Sequence, residues 1–453
     1  MTATSRPPDS RAAAAAETEN WPSPAQGWYA IGILLVAFIF SFIDRTIIAL
    51  LVEPIKQDLG ISDFGIGLLQ GLAFAIFYAL VGIPIGRMAD RYSRRGIIAA
   101  GIFLWSLMTA ACGLAKSFFG LFLARVGVGV GEAALSPSAF SMISDLFPKD
   151  KLGRALSVYQ AGAFLGAGIA FLAGGAVIQL LSVAGAVDVP MIGVVKPWQM
   201  TFFVVGLPGV LVALLMLTVT EPARRGKMAG HDGAVSVRQA FDYVKSNRRL
   251  FSALFTGFAL LAVPITTFMT WVPAYMNRVH DYSRGEAGFT LGLILLIFSP
   301  AGVYFGGWLT DQLQKRGYVD ATFRVGMLAA VLMLPLAFFA TRLSDSSITV
   351  ALFCPFVFCA SMPIAAAPTT LQLLVPNEMR AQLSAGWMLA LNLISTTAGP
   401  TLVGFVSAYV LQDDAAVGTA VALVNCISVP IAGLLLWIAV RPYRNALDRS
   451  QAG

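Results

Sequence analysis

Four charged residues lie inside long apolar stretches of the sequence, and their types and spacing suit proton or anion chemistry. Asp44 and Arg45 are adjacent within the stretch 28–52, and Arg125 and Glu132 lie seven residues apart in a later stretch. Two helical turns place Arg125 and Glu132 on one face, about 10 Å apart. A lone charge inside a bilayer-spanning helix costs about 2.5–3.5 kcal/mol on insertion scales, so we expect each to face a partner or a cavity.

This set of charges predicts a proton-coupling site. Adjacent helical residues point about 100° apart, so we expect crosswise pairs, Asp44 with Arg125 and Glu132 with Arg45. Burial and a neighbouring arginine act in opposite senses on the proton affinity of a carboxyl group, so a cavity that opens and closes can load and release a proton. Glu132 is the first candidate for the protonated group and Asp44 the second. Two structural alternatives stay open: a snorkelling pair at a helix end and a static ion-pair cluster.

The elements that carry these charges are predicted to be membrane-spanning helices. Of the 453 residues, 57% are apolar and 12% are charged, against about 25% charged residues in soluble domains. The mean hydropathy of +0.75 excludes a disordered chain, and the long apolar runs exclude a membrane β-barrel. Because a span needs about 20 apolar residues, the pattern predicts twelve, at 28–52, 64–86, 96–116, 118–146, 152–182, 198–220, 250–277, 286–310, 322–341, 347–375, 380–411 and 415–440.

The distribution of basic residues predicts the topology. Most lysines and arginines outside the spans lie on the same side as the two termini, which places both termini in the cytoplasm of a cell whose plasma (inner) membrane holds the protein. The net charge of +7 therefore needs no nucleic-acid partner. We divide the chain into five segments: a disordered tail (1–26), a six-helix bundle (27–220), a linker (221–249), a second six-helix bundle (250–440) and a second tail (441–453). The linker is predicted to carry an amphipathic helix at 235–243.

Enzymatic and metal chemistry lack the necessary residues. The two histidines lie in or near loops, far from a serine or cysteine with which to form a triad, and the sequence has no Walker motif. The four cysteines lie in apolar runs without the spacing of metal ligands. We therefore expect a protein that is not an enzyme, binds no metal and needs no cofactor.

Two loops repeat one pattern in the two halves of the chain. GRMADRYSRR occupies 86–95 and GWLTDQLQKR occupies 307–316. These paired loops on a six-plus-six arrangement resemble the major facilitator superfamily over residues 28–440. FIDRTII at 42–48 and GVGEAA at 129–134 are similar to the spinster family of lipid transporters. The resemblance implies an all-α membrane protein with twelve helices in two six-helix bundles around a central cavity.

The resemblance also implies roles for particular residues. In the spinster family an aspartate and an arginine of the first span and a glutamate of the fourth line the substrate cavity. The repeated loops imply gating, with Asp90 held to a neighbouring helix end through Arg154; alternatively, their arginines only set topology or bind anionic lipids. Gln312 stands where the first loop has Arg91, so the second gate is expected to be weaker. The gating set is Gly86, Arg87, Asp90, Arg91, Arg95, Arg154, Gly307 and Asp311.

The combined prediction is a secondary active transporter that works by alternating access. Charges in one half and apolar walls in the other favour an amphipathic substrate, such as a lysophospholipid or a sphingoid lipid, exported as protons enter. Its partners would be the substrate, protons and membrane lipids, and the chain is expected to act as a monomer. The alternatives are transport of a small organic anion and lipid binding or scrambling without alternating access. The expected substrate-binding residues are Arg45, Glu132, Ser136, Tyr159, Thr370 and Asn392.

Overall fold

The computed structural model of the chain describes residues 21–89, 91–190, 193–224, 237–375 and 379–452. Twelve of its helical segments are long and apolar enough to cross a membrane, which confirms the predicted number and the all-α class. They are TM1 (Pro24–Leu50), TM2 (Asp63–Ala89), TM3 (Arg94–Cys112), TM4 (Phe118–Leu146), TM5 (Lys151–Ala184), TM6 (Pro197–Met216), TM7 (Arg248–His280), TM8 (Arg284–Lys315), TM9 (Ala321–Phe339), TM10 (Ser346–Leu374), TM11 (Gln382–Leu411) and TM12 (Asp414–Leu447).

The helical bounds differ from the predicted ones at both ends of the chain. TM1 begins at Pro24, inside the predicted tail, because Ser23 and Gln26 form a capping box and proline suits the first helical turn. Residues 1–20, the rest of that tail, lie outside the described residues. At the other end, the helix Val417–Ala452 continues through most of the predicted second tail. Arg444 on this extension donates to Asp320 at 3.0 Å, which fixes the helix against TM9.

Six of the described spans consist of consecutive shorter helices, and in TM12 these are the 3₁₀ turn Asp414–Ala416 and the helix Val417–Ala452. TM2 breaks at Gly71, where a Cβ atom would lie 2.6 Å from the carbonyl oxygen of Thr397 in TM11, so only glycine permits this approach. TM11 contains two π-helical turns, a geometry often found at functional sites. The component helices of the other five are Asp63–Gln70 and Leu72–Ala89; Phe118–Glu132 and Leu135–Leu146; Arg248–Leu261 and Val263–His280; Ser346–Ser361 and Ala366–Leu374; and Arg380–Leu391, Asn392–Ala398, Gly399–Phe405 and Val406–Leu411.

Smaller elements lie in the connections. A short helix, Val52–Leu59, follows TM1, and a two-stranded antiparallel hairpin, Val187–Val189 with Gly193–Val195, links TM5 to TM6. This hairpin is not among the elements predicted from the sequence. The linker contains the helix Val237–Ser246, which overlaps the predicted amphipathic helix, whereas residues 225–236 are not described. Tyr243 of this helix donates to the carbonyl oxygen of Leu374, so the helix rests on TM10.

The two six-helix halves pack differently at the two ends of the bundle. We call the end that carries the described chain termini and the loop 86–95 the terminal end, and the opposite end the distal end. At the distal end one apolar cluster includes side chains of both halves, such as Ile55 and Leu69 with Trp271 and Leu291. Toward the terminal end each half has a separate cluster. The halves are therefore joined at the distal end and separate at the terminal end.

Glycines allow the close contact between the halves at the distal end. A Cβ on Gly67 of TM2 would lie 2.7 Å from the carbonyl oxygen of Pro400 in TM11. A Cβ on Gly175 of TM5 would lie 3.1 Å from the Cα of Gly288 in TM8. Larger residues at these positions would push the backbones apart, so these glycines are part of what closes the distal end.

Candidate functional site

An ion pair between TM1 and TM4 lies inside the N-terminal half. Arg45 Nε donates to Glu132 Oε2 at 2.6 Å, and the Ser41 hydroxyl donates to the same oxygen at 2.9 Å. The Glu132 side chain is fully buried, whereas 25% of the Arg45 side chain remains exposed. The pair is therefore buried at Glu132 and partly exposed at Arg45. The structure thus brings together the two residues that the sequence pairs.

Aromatic rings surround the Arg45 guanidinium. Its central carbon lies 4.7 Å from the ring centre of Phe74, 5.0 Å from that of Tyr78 and 5.3 Å from that of Phe42. Cation–π contacts of this kind hold a guanidinium in place in surroundings that are poor in water. Glycines bring TM4 close enough for this arrangement, because a Cβ on Gly129 would lie 2.6 Å from the carbonyl oxygen of Phe74.

The second crosswise pair has a different form from the predicted one. Arg125 is buried, and its guanidinium donates to the main-chain carbonyl of Asp44 at 2.8 Å instead of to the carboxylate. Longer contacts join it to the carbonyls of Leu69 and Arg45. Five donors on a planar fork suit several carbonyls at once, so Arg125 ties TM1, TM2 and TM4 together. Asp44 Oδ1 is buried and has no hydrogen-bond partner among the described residues.

Glu132 also has an unused oxygen. Its Oε1 atom is buried and finds no hydrogen-bond partner in the part of the chain that the structure describes. An unsatisfied carboxylate oxygen in a buried site is costly, which makes it a natural place for a proton or a ligand donor to bind. Glu132 therefore has one oxygen held by Arg45 and Ser41 and the other available.

The other predicted substrate-binding residues fall into two groups. Ser136 and Asn392 are partly exposed. Tyr159 is fully buried, stacks on Phe38 at 5.0 Å between ring centres, and leaves its hydroxyl without a partner among the described residues. Thr370 is buried, and its hydroxyl donates to the Thr322 hydroxyl at 2.7 Å. Thr370 joins TM9 to TM10 because a buried hydroxyl needs a partner.

A cluster of charges at the distal end was not anticipated from the sequence. Asp63, at the start of TM2, has a fully buried side chain. It accepts two hydrogen bonds from Arg278 of TM7, both at 2.7 Å, and one each from Lys56 and from Ser407 of TM11. Arg278 also donates to Glu53 at 2.6 Å. We call these five residues the distal latch, because they join the two halves across the closed end.

At the terminal end the loop 86–95 is held by Arg94, which the predicted gating set omitted. The Arg94 side chain is buried and pairs with Asp145 of TM4 and with Glu221, which follows TM6. Glu221 also accepts hydrogen bonds from the Ser93 hydroxyl and the Arg95 amide. The sequence offered no signal that singled out Arg94 among neighbouring arginines, because the deciding feature is the position of its acidic partners.

The predicted gating residues of the first loop have varied surroundings. Arg95 donates to main-chain carbonyls at the end of TM6, and a Cβ on Gly86 would be in ordinary contact with Pro137. Arg87 and Arg91 are exposed. The Arg154 guanidinium lies over the ring of Trp28 at 5.7 Å. Asp90, the predicted partner of Arg154, lies outside the described residues.

Near the second loop the close helix contact lies one residue before Gly307, and the buried acid lies nine residues after Asp311. Gly307 has open space around it, whereas a Cβ on the preceding Gly306 would lie 2.1 Å from the carbonyl oxygen of Met362. Asp311 is exposed, and the buried acid is Asp320, which accepts from Arg324 and Arg444. A one-residue shift turns a helical position by about 100°, which explains why Gly306 and not Gly307 makes the close contact in this structure; the gating role of Gly307 stays a prediction.

Glu221 makes the stability of the fold at the terminal end depend on pH. Partial burial opposes its ionisation, but the hydrogen bonds from Arg95, Arg94 and Ser93 outweigh it and lower the pKa of Glu221 below its ordinary value. A lowered pKa means that Glu221 stabilises the fold above the ordinary glutamate range, and that this contribution is lost as the pH falls through the folded-state value.

We expect Glu221→Gln to reduce the free energy of unfolding by roughly 1–3 kcal/mol at neutral pH, the range for hydrogen bonds to a charged group. The loss should shrink at an acidic pH below the lowered pKa of Glu221, where the native carboxylate also becomes protonated. Thermal unfolding in detergent at both pH values measures this. The matched control is Asp242→Asn, an exposed carboxylate on the linker helix. An equal loss at both pH values would contradict the assignment.

Comparison with known proteins agrees with this geometry. The sequence model of the Major Facilitator Superfamily matches residues 33–400. The chain belongs to the Major Facilitator Superfamily. Proteins of this superfamily are transporters and not enzymes, so this Major Facilitator protein is a multi-pass membrane transporter.

Its relatives confirm the resemblance to the spinster family. The chain is 30% identical to an "MFS-type efflux pump" of Mycolicibacterium smegmatis, over 93% of this chain and 94% of that protein. It is 27% identical to "Sphingosine-1-phosphate transporter SPNS2" of Xenopus tropicalis, over 89% of this chain and 79% of that protein. The crystal structure of a bacterial homologue of the human lysosomal transporter Spinster, inward-facing and unoccupied, matches with a TM-score of 0.76 and 27% identity, covering 94% of this chain and 98% of that one.

Proposed function

We propose that this Major Facilitator protein is a proton-coupled secondary active transporter that moves an amphipathic, lipid-like substrate of lysophospholipid or sphingoid type by alternating access. The observation that carries the proposal is the Arg45–Glu132 pair, which is buried on one side and open to solvent on the other. Buried ion pairs stabilise a fold poorly, so their retention inside a membrane bundle favours a functional role. One relative is named a sphingosine-1-phosphate transporter, which supports a lipid-like substrate.

The geometry of the pair suggests how a proton and a substrate are exchanged. An anionic head group that binds the exposed edge of Arg45 competes with Glu132 for the guanidinium. Glu132 then keeps only the Ser41 hydroxyl on Oε2, beside its unpartnered Oε1. A buried carboxylate that loses its cation favours proton uptake, so substrate binding and proton binding become linked. Asp44, with its own unpartnered oxygen, is the second candidate group.

The C-terminal half offers the tail of such a substrate a different surface. Several hydroxyls of TM7 and TM11 are already paired, as between Thr266 and Ser395 at 3.2 Å, whereas the buried Thr397 hydroxyl of TM11 has no partner among the described residues. Trp271 donates to the main-chain carbonyl of Pro400 and is likewise satisfied. Satisfied polar groups leave apolar walls, which favour an acyl or sphingoid chain over a second polar group.

The packing of the halves supports alternating access. If both termini are cytoplasmic, as the basic residues indicate, the separate clusters at the terminal end make this an inward-open arrangement in an inner membrane. The opposite state would close the terminal end through the loop 86–95 and break the distal latch. Export of substrate coupled to proton entry fits this cycle, and one chain contains the whole site, so a monomer suffices.

Uptake into proteoliposomes tests the proposal. A fluorescent lysophospholipid is offered with and without a pH gradient, and albumin extraction of the outer leaflet measures the protected fraction. We expect the gradient to increase that fraction and a protonophore to cancel the increase, because the proton gradient drives substrate movement. Excess short-chain sugar acid should leave uptake unchanged. Uptake independent of the gradient would contradict proton coupling, and strong competition by the sugar acid would favour transport of a small organic anion.

A cross-link distinguishes transport from scrambling. Cysteines replacing Gln179 of TM5 and Gly285 of TM8, in a chain whose native cysteines are replaced by serine, would place their Cβ atoms about 3.3 Å apart, close enough for a disulfide across the halves. Oxidation should stop gradient-driven uptake, and reduction should restore it, because alternating access requires the distal end to open. Lipid movement that persists in the locked protein would support a scramblase.

A further inference from the structure

A cavity at the distal end lies outside the proposed transport site. It has a volume of about 410 Å³ and is bounded by the end of TM1 with the short helix that follows it, by TM5 and TM6 of the same half, and by Arg284 at the start of TM8 in the other half. One wall is apolar, with Leu51, Ile178 and Trp198. A cavity with an apolar wall and a cationic residue has the character of a site for an amphipathic anion.

Arg284 is the cation in this cavity that is available for a ligand. Its Nε atom is buried and has no hydrogen-bond partner among the described residues. The carboxylates nearby are already engaged: Glu53 accepts from Arg278. Asp58, which also lines the cavity, is paired with Lys196 and accepts from the Trp198 indole at 2.8 Å. Glu53 is therefore an acidic neighbour of Arg284, but Arg284 forms no ion pair among the described residues and its Nε atom stays open to a ligand.

We propose that this cavity binds a phosphate group, held by Arg284, and that its apolar wall receives the hydrocarbon chain of a phosphate-bearing amphiphile. The planar fork of a guanidinium matches two phosphate oxygens at once, and charge-assisted hydrogen bonds of this kind are the strong ones. Lys196, half of whose side chain is exposed, adds positive charge at the rim. The site is distinct from the Arg45–Glu132 pair, and binding there does not depend on transport.

A second cavity gives a hydrocarbon chain room to extend. It has a volume of about 720 Å³, with Leu172 and Ala176 of TM5 and Phe289 of TM8 on its apolar side, and with polar residues such as Asp281 and Glu286 on the other. Gly285, which also lines it, follows Arg284 directly, so the two cavities adjoin at the same point of TM8. Gln179 lies against Gly285 between them. A chain whose phosphate is held by Arg284 can therefore lie along the TM5–TM8 boundary in either cavity.

Photo-crosslinking of the purified full-length protein in zwitterionic nanodiscs tests the site. The probe is dodecyl phosphate with a diazirine in its chain, and the labelled peptides are mapped by mass spectrometry. We expect labelling at 172–182, 196–201 or 284–290. Arg284→Gln should weaken it about tenfold, whereas Arg284→Lys keeps the charge and should retain at least part of it. The control is Arg342→Gln, an exposed arginine at the same end that lies over Phe338, and it should leave labelling unchanged.

Competition identifies the source of the phosphate. Displacement by unlabelled dodecyl phosphate but not by inorganic phosphate supports the amphiphile, whereas equal displacement by both supports a free-phosphate site on Arg284. The proposal would be overturned if Arg284→Gln left the labelling of these peptides unchanged, or if these peptides were not labelled at all. Gel filtration of each variant verifies that it is folded. Because the readout is binding, failure here leaves the transport assay as an independent test of the proposed function.

Discussion

Replacing Glu132 with glutamine is expected to abolish accumulation of substrate against its gradient while leaving downhill exchange intact. Each pH unit is worth about 1.4 kcal/mol per proton, so one coupled proton supports up to about tenfold accumulation for each unit of gradient. Glutamine keeps the shape and a hydrogen-bond acceptor for Arg45 and Ser41, but it cannot bind and release a proton at Oε1. The ratio of inside to outside substrate should therefore fall from about tenfold to about one.

The measurement is steady-state accumulation in proteoliposomes under an imposed gradient of one pH unit, alongside counterflow of labelled substrate without a gradient. Asp188→Asn is the matched control, because it neutralises an exposed carboxylate of the distal hairpin and should behave as the native chain. Asp44→Asn separates the two candidate groups. Full gradient-driven accumulation in Glu132→Gln would contradict the role assigned to Glu132.

Replacing Arg278 with glutamine is expected to open the distal end. The substitution removes both hydrogen bonds to the fully buried Asp63 and the contact with Glu53, leaving buried acidic charge without its main partner. Removing one member of a buried ion pair costs about 3–5 kcal/mol. Only the state with the closed latch bears this cost, so the balance between the two states should shift by roughly a hundredfold or more.

Spin labels on exposed distal positions of the two halves measure this shift. Asp188→Cys and Ser347→Cys provide them in a chain without native cysteines. The distance distribution should move to longer values in Arg278→Gln. Arg342→Gln, at the same end but outside the latch, should leave it unchanged. A distal distance that is the same in the native chain and in Arg278→Gln would show that the latch does not hold the halves together.

The twelve spans and the Arg45–Glu132 pair were predictable because both depend on strong local signals. A charge deep in an apolar run is costly, so its partner is expected among the few other charged residues that also lie inside apolar runs. The contact between Arg125 and Asp44 was harder to predict, because Arg125 donates to the main-chain carbonyl of Asp44 and every residue has such a carbonyl. Thr370 contacts TM9 in this structure, and its contact was not predictable because a hydroxyl on a helix gives no indication of which face meets a neighbouring helix.

The distal latch could not be predicted for a different reason. Asp63 and Arg278 lie at the ends of spans, where charged residues are ordinary, and 215 residues separate them in the chain. Only the assembled bundle, in which TM2 packs against TM11 and TM7 against TM1, shows that they meet. The same holds for Arg94, which stands among similar arginines until Asp145 and Glu221 are placed beside it. Local periodicity defines helices, whereas pairing between helices depends on the assembled bundle.

The central claim is that the two halves alternate about the Arg45–Glu132 pair, with the distal and terminal ends opening in turn. The most direct measurement is a pair of spin-label distances in nanodiscs at acidic and at alkaline pH. One joins the distal positions 188 and 347, and the other joins the exposed terminal-end positions 91 and 316. We expect the two distances to change with pH in opposite senses, and the change to disappear in Glu132→Gln. Two distances that stay fixed, or that lengthen together, would contradict alternating access driven by this site.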